Sequence, residues 1–172
     1  MLKHAKRLLA ATSAVSVASL VALGGLTAAS ASPAAHPSVS GIEHFQLVSA
    51  SATANKAPVI AYGLFAAPAV DHMGNTTDTF KFRGGSFRVK HSPGHGNPSF
   101  NARTCVLQGT IRGSYSISHG TGRYAGISGH GTYVLRLLSI ARRNAHGKCK
   151  TSQNALPLAF QEIIDAHGPV RL

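Results

Sequence analysis

Apolar and polar residues alternate one by one along much of the chain, and the alternating runs stop at Gly, Pro or Asn. In TFKFRGGSFRVKH, Phe80 and Phe82 share one face, and Phe87 and Val89 share one beyond Gly84 and Gly85, while Lys81, Arg83, Arg88 and Lys90 take the other. A period of two belongs to a strand with one side in a core and one in water, so this stretch reads as a β-hairpin. The same reading predicts strands over 43–51, 58–68, 103–109, 110–119, 131–141 and 156–167, which with the hairpin makes about eight. Longer loops are expected around Gly94 and His146. Eight antiparallel strands close into a small barrel that holds side chains or one small ligand, and an open sandwich uses the same alternation. Alternation does not choose between them.

The first 31 residues follow another rule. Lys3, Lys6 and Arg7 precede an uncharged run, 8–26, rich in Ala, Ser, Val and Leu, and the run leads to Ala29-Ser30-Ala31. A basic start, an apolar stretch and a small-x-small site predict a secretory signal cut before Ser32. Residues 32–40, with Pro33 and Pro37, read as a flexible tail, and 41–172 as the domain. Cleavage would remove three of the 17 basic residues and none of the five acidic ones, leaving +9 on the exported protein. After it no second stretch is apolar over the length of a span, so no membrane is expected.

The cations are scattered singly apart from Arg142-Arg143 and Lys148-Cys149-Lys150, and they are not interleaved with aromatic residues. Nucleic-acid binders cluster their cations or set them beside stacking platforms, so no specific nucleic acid is expected. A solvated basic surface, with weak attachment to anionic cell-surface polymers, fits better. Cys105 and Cys149 are the two cysteines, and an exported chain with an even count predicts one disulfide between them.

The stretch HGTGRYAGISGHGTYV, 119–134, packs five glycines into sixteen residues. Gly120, Gly122 and Ala125 have the spacing of a dinucleotide fingerprint, which needs a following helix whose free amides hold a pyrophosphate. Gly126, Gly129 and Gly131 fall where that helix would run, and each interior glycine costs a helix roughly 1 kcal/mol. A tight, bulged corner between two strands is the better account, with Tyr124 plugging the barrel end.

The run YSISHGTGRYAGISGHGTY, 115–133, resembles the strand, glycine corner and strand of the allene oxide cyclase and dirigent superfamily, in particular its secreted bacterial barrel-like members. Gly120, Gly122, Tyr124, Gly126, Gly129 and Gly131 carry the likeness, and the terminal LPLAFQEIIDAHG is similar to the closing strand of that superfamily. The resemblance implies an all-β, closed antiparallel eight-stranded barrel around an apolar cavity. In the plant members such cavities cyclise an unsaturated fatty-acid epoxide or guide phenol radical coupling.

Catalytic residues do not carry over with the corner, so candidate chemistry rests on local residues. Glu162 falls in phase with Leu158, Phe160 and Ile164, which sets a carboxylate on an apolar face. Turned inward, burial would raise its pKa and suit it to general acid or base work; turned outward near the rim, or paired with an arginine, it would be a solvated surface group. Glu43 shares parity with Phe45 and Leu47 and, at the start of its strand, is expected at a solvated mouth. Phe80, Phe82, Phe87, Val89 and Phe160 are the expected ligand-contacting side chains. No metal is expected: in His91-Ser-Pro-Gly-His95 the proline and glycine forbid the helix that would bring both imidazoles together. No cofactor motif and no G-x-S-x-G elbow occurs. Three function classes follow in order: a secreted barrel binding a small apolar molecule, a cyclase or isomerase that works by shaping its substrate, and a surface-interaction protein with a solid barrel.

Overall fold

The computed structural model describes residues 38–152 and 155–172; the expected leader and most of the expected tail lie outside the described residues. Ten strands occur among the described residues: β1 (Ser40–Ser49), β2 (Lys56–Gly63), β3 (Ala67–His72), β4 (Thr77–Phe82), β5 (Gly85–His91), β6 (His95–Gly96), β7 (Ser99–Asn101), β8 (Val106–Gly122), β9 (Ser128–Ile140) and β10 (Ala159–Arg171). No helix is present among them. Each long strand pairs antiparallel with its neighbours in the order β5-β4-β3-β2-β1-β10-β9-β8, and β5 pairs β8 to close the ring. The domain is therefore a closed, eight-stranded, up-and-down antiparallel barrel. Closure removes the free edges that would invite pairing with another chain.

The long β8 holds the ring together. Its second half pairs β5 from His91↔Tyr115 to Gly85↔Gly122, while its first half is covered by the short β6 and β7, which thereby extend the β5 side. Strand β1 begins at Ser40, the last residue of the expected tail. Val39 and Leu172 exchange backbone hydrogen bonds of 3.1 and 2.9 Å, and Ser40 pairs Arg171, so the two ends of the domain are stitched side by side.

The division into strands differs from the pattern-based expectation at two places, and the ends of β1, β9 and β10 lie one to four residues from those expected. The run 58–68 is two strands, β2 and β3, reversed at Gly63, and Ala57↔Asp71 to Ala61↔Ala67 sets their register. The runs 103–109 and 110–119 are one strand, because Gly109 is not a break. A Cβ there would stand 2.6 Å from the Pro98 Cα, so the glycine admits the crossing β6–β7 segment.

At one end the barrel is packed solid. Phe82 and Phe87 stack with centroids 5.1 Å apart, Tyr124 lies 4.8 Å from Phe82, and Phe65 lies 5.3 Å from Tyr124. Tyr124 reaches this cluster from the glycine corner. The corner's amides are already used, Tyr124 donating to Thr121 O, Ala125 to Gly122 O, and Ile127 to Tyr124 O at 3.0–3.1 Å. They present no cradle for a phosphate. Gly122 has φ +58°, and a Cβ there would lie 2.1 Å from the Gly84 carbonyl oxygen, so the corner closes only over a glycine. Gly126 (φ +84°) ends the turn, and Gly129 and Gly131 lie within β9.

Cys105 and Cys149 form a disulfide across 44 residues, fastening the loop that follows β9 to the turn before β8. Arg143 adds hydrogen bonds to the carbonyls of Gly147 in the same loop and of Arg103 in the turn before β8.

Candidate functional site

The other end of the barrel is hollow. A cavity of about 230 Å³, partly open to solvent, lies beyond the aromatic plug. Phe45 and Leu47 of β1, Phe80 of β4, Val89 of β5, Leu135 of β9, and Ile164 and Ala166 of β10 form its apolar wall. Their inward phase follows from the period of two. The pairs Leu47↔Ile164 and Phe45↔Ala166 bring β1 and β10 to the wall together, and Ile164↔Leu135 and Ala166↔Tyr133 add β9.

Room for the cavity comes from how β8 and β9 share their space. Gly113 pairs Tyr133 and Tyr115 pairs Gly131, so each phenol ring lies over a glycine of the neighbouring strand. A Cβ on Gly113 would meet the Tyr133 ring at 2.5 Å, and one on Gly131 would stand 2.7 Å from the Tyr115 hydroxyl. Each ring thus lies against the sheet, as aromatic residues do opposite glycine. Tyr133 donates its hydroxyl to Ser92 O at 3.0 Å, whereas the Tyr115 hydroxyl is buried without a partner.

Polar chemistry in the wall comes from three carboxyls. Asp71 of β3 is only 2 % exposed, and its Oδ1 is buried with no hydrogen-bond partner. Burial, and then the neighbouring Asp78 charge, pushes its pKa up to about 8. Asp78 sits nearer the rim, where its Oδ1 accepts from the Gly74 amide at 2.8 Å and its Oδ2 stands 3.6 Å from His91 Nε2. Glu162 of β10 also lines the cavity, and burial raises its pKa. Tyr115 is pushed up to about 12, by burial first and by the Glu43 carboxylate second.

Glu43 corrects an expectation. Placed by sequence at a solvated mouth, it is 0 % exposed, inside the barrel at the plugged end. The loop after β2 folds over it, and the Phe65 amide donates to its Oε2 at 3.0 Å while Oε1 has no partner. Burial raises its pKa against the lowering effect of the Phe65 and Leu64 amides.

Of the five acidic residues, Glu43, Asp71, Asp78 and Glu162 thus belong to the interior. Asp165 faces out, where hydrogen bonds from Gln46 and the Arg136 guanidinium hold its carboxyl below the usual range. No lysine or arginine lines the cavity among the described residues. A basic exterior encloses an acidic, mostly apolar chamber. A carboxyl kept neutral near pH 7 in such a wall can donate a hydrogen bond or act as a general acid, and when ionised it attracts a cation.

The expected contact residues divide between the two halves. Phe80, Val89 and Glu162 line the cavity; Phe82 and Phe87 belong to the packed half, and Phe160 is half-buried outside the cavity wall. Asp71, Asp78, His91, Tyr115 and Tyr133 are wall residues that pattern reading did not single out for this role. For Asp71 the signal was available: Ala67, Ala69 and Asp71 alternate inward once β3 is separated from β2. Among the described residues no cluster of three or more His, Cys, Asp or Glu side chains is arranged to hold a metal ion. No protein-family model, no curated protein and no solved structure matches this chain.

Proposed function

We propose that this chain is a secreted barrel that binds a small, largely apolar molecule in its hollow half, in the manner of the allene oxide cyclase and dirigent barrels that its glycine corner resembles. The observation that carries the reading is the cavity itself, an apolar wall interrupted by a few convergent polar groups, which is the usual make-up of a small-molecule site. Its volume sets the size of the ligand. An apolar cavity of ~150 Å³ accommodates benzene, so 230 Å³ suits a molecule of one or two rings rather than a whole long acyl chain. Export is supported by the leader pattern together with the disulfide, a bond that persists in oxidising compartments. The scattered exterior cations suit weak attachment to anionic surface polymers.

A neutral fluorophore of naphthalene size tests the reading. It should bind the folded protein saturably and lose binding in Ala166→Phe, whose ring would occupy the cavity, while Phe160→Lys outside the wall changes little. Binding that arises only as the protein unfolds would overturn it. A second reading, a cyclase or isomerase, is favoured by the carboxyls of Asp71 and Glu162 in the wall, either of which can serve as a general acid to a substrate held in place. Turnover of an unsaturated cyclisable substrate that is lost in Glu162→Gln or Asp71→Asn, with fluorophore binding retained, would support it over plain binding.

A further inference from the structure

Resting on the reading of the hollow half as a binding chamber, we infer that its occupant is a small aromatic or alicyclic amine, held as the ammonium ion against the Asp71 carboxylate. Charge selects the class. The chamber wall contributes the carboxyls of Asp71, Asp78 and Glu162, no lysine or arginine, and one imidazole, His91, which already stands 3.6 Å from Asp78. A carboxylate or phosphate ligand would bring a further anion into this wall with no cation to meet it. A wholly apolar ligand would leave the Asp71 Oδ1 as it stands, buried and without a partner, and a neutral hydroxyl would offer it one donor but no charge. Such an orphaned acceptor costs of order 1–3 kcal/mol, and an N–H donor carried in on the ligand removes that cost.

The rest of the wall suits the same ligand. Phe45, Phe80, Tyr115 and Tyr133 surround the space beside the carboxyls, and an ammonium near ring faces gains from their quadrupoles. The buried Tyr115 hydroxyl, also without a partner, offers an acceptor for a second N–H. The basic exterior does not oppose entry decisively, since surface charges are screened over about 8 Å at physiological salt.

Binding moves one proton. The Asp71 carboxyl, titrating near 8, releases its proton to solvent as the ammonium takes its place. The titratable groups facing it across the chamber are Asp78 on β4, His91 on β5, Tyr115 on β8, Tyr133 on β9 and Glu162 on β10, with none from β1 or β2 in the wall. An alkylammonium keeps its proton to about pH 10, like a lysine side chain. Amine affinity therefore rises as Asp71 ionises.

Calorimetric titration of the mature, oxidised protein with phenethylamine, phenethyl alcohol and hydrocinnamate, at neutral and at alkaline pH, tests this. The amine should bind at least ~10-fold more tightly than the alcohol at about pH 9, and its affinity should increase roughly tenfold from about pH 7 to pH 9. Hydrocinnamate should bind most weakly, and Asp71→Asn should remove the rise with pH. Equal binding of amine and alcohol, or tighter binding of hydrocinnamate, overturns the amine assignment and leaves the apolar chamber standing. Failure of all three, together with failure of the neutral fluorophore, overturns the chamber as well. Should Asp71→Asn not fold, as judged by circular dichroism, the pH profile of the unsubstituted protein still decides: a flat profile sinks the proposal.

Discussion

The two halves of the barrel are built from the same strands yet obey different rules. Around Phe82, Phe87, Tyr124 and Phe65 the interior is filled by rings at centroid distances of about 5–6 Å, and a glycine corner brings Tyr124 inward as a stopper. Around Leu47, Ile164, Ala166 and Leu135 the same inward phase leaves about 230 Å³ of space bordered by carboxyls. What separates them is side-chain volume and the placement of glycine: large rings converge at one end, while at the other Tyr115 and Tyr133 lie over Gly131 and Gly113. The packed half supplies stability, which offsets the cost of the buried, poorly partnered acids, Asp71 in the hollow half and Glu43 at the plugged end.

The comparison breaks most easily at the corner. Gly122→Val should yield little or no folded protein, since its side chain collides with the Gly84 carbonyl at a backbone angle that β-branched residues avoid. Soluble yield and circular dichroism read this. Gly126→Val should be milder, because a Cβ there meets nothing within 4 Å and only the backbone angle is strained.

Truncation separates the halves in degree. Phe87→Ala, at a 0 % exposed position in the aromatic cluster, should cost about 3–5 kcal/mol in denaturant unfolding. Ile164→Ala on the cavity wall should cost about 2 kcal/mol, the lower end for such a change, since part of that side chain already faces empty space. Equal losses would mean that the two halves are packed alike. Enlargement should show the reverse order: Ala61→Leu, in the core, costs about 1–3 kcal/mol through overpacking, whereas Ala166→Leu fills cavity space and is neutral or stabilising.

The acids of the hollow half give a pH signature. Asp71 has a folded pKa near 8 against 3.8 for the free side chain, so between those values the folded state holds a proton that the unfolded state has lost. Stability is therefore greatest below about pH 4 as far as this group is concerned, and falls as pH rises towards 8. Thermal midpoints should decline across that window, and Asp71→Asn should flatten the decline. Glu162, raised in the same direction, should contribute a smaller effect, so Glu162→Gln should stabilise slightly at neutral pH. A midpoint that climbs steadily from pH 5 to 8 would show that Asp71 is paired.

Alternation determined the all-β class, and parity set Phe80, Phe82, Phe87 and Val89 facing inward, because a strand sends successive side chains to opposite faces whatever surrounds it. Parity put Glu162 on one face with Phe160 and Ile164, and only closure of the ring decided that this face lines the chamber. The paired cysteines were legible from their number. Strand boundaries were not, and the expected total of eight arose from two differences that offset each other, one run divided at Gly63 and two joined across Gly109. A glycine reads the same in sequence whether it turns the chain or admits a neighbouring backbone. Depth inside the barrel was likewise hidden: Glu43 and Glu162 share an inward phase, but register and the loop carrying Phe65 bury one under the plug and leave the other in the chamber. The acid-walled cavity belongs to tertiary structure alone, since Asp71, Asp78, Tyr115 and Glu162 lie on four strands that only closure of the ring brings to face one another.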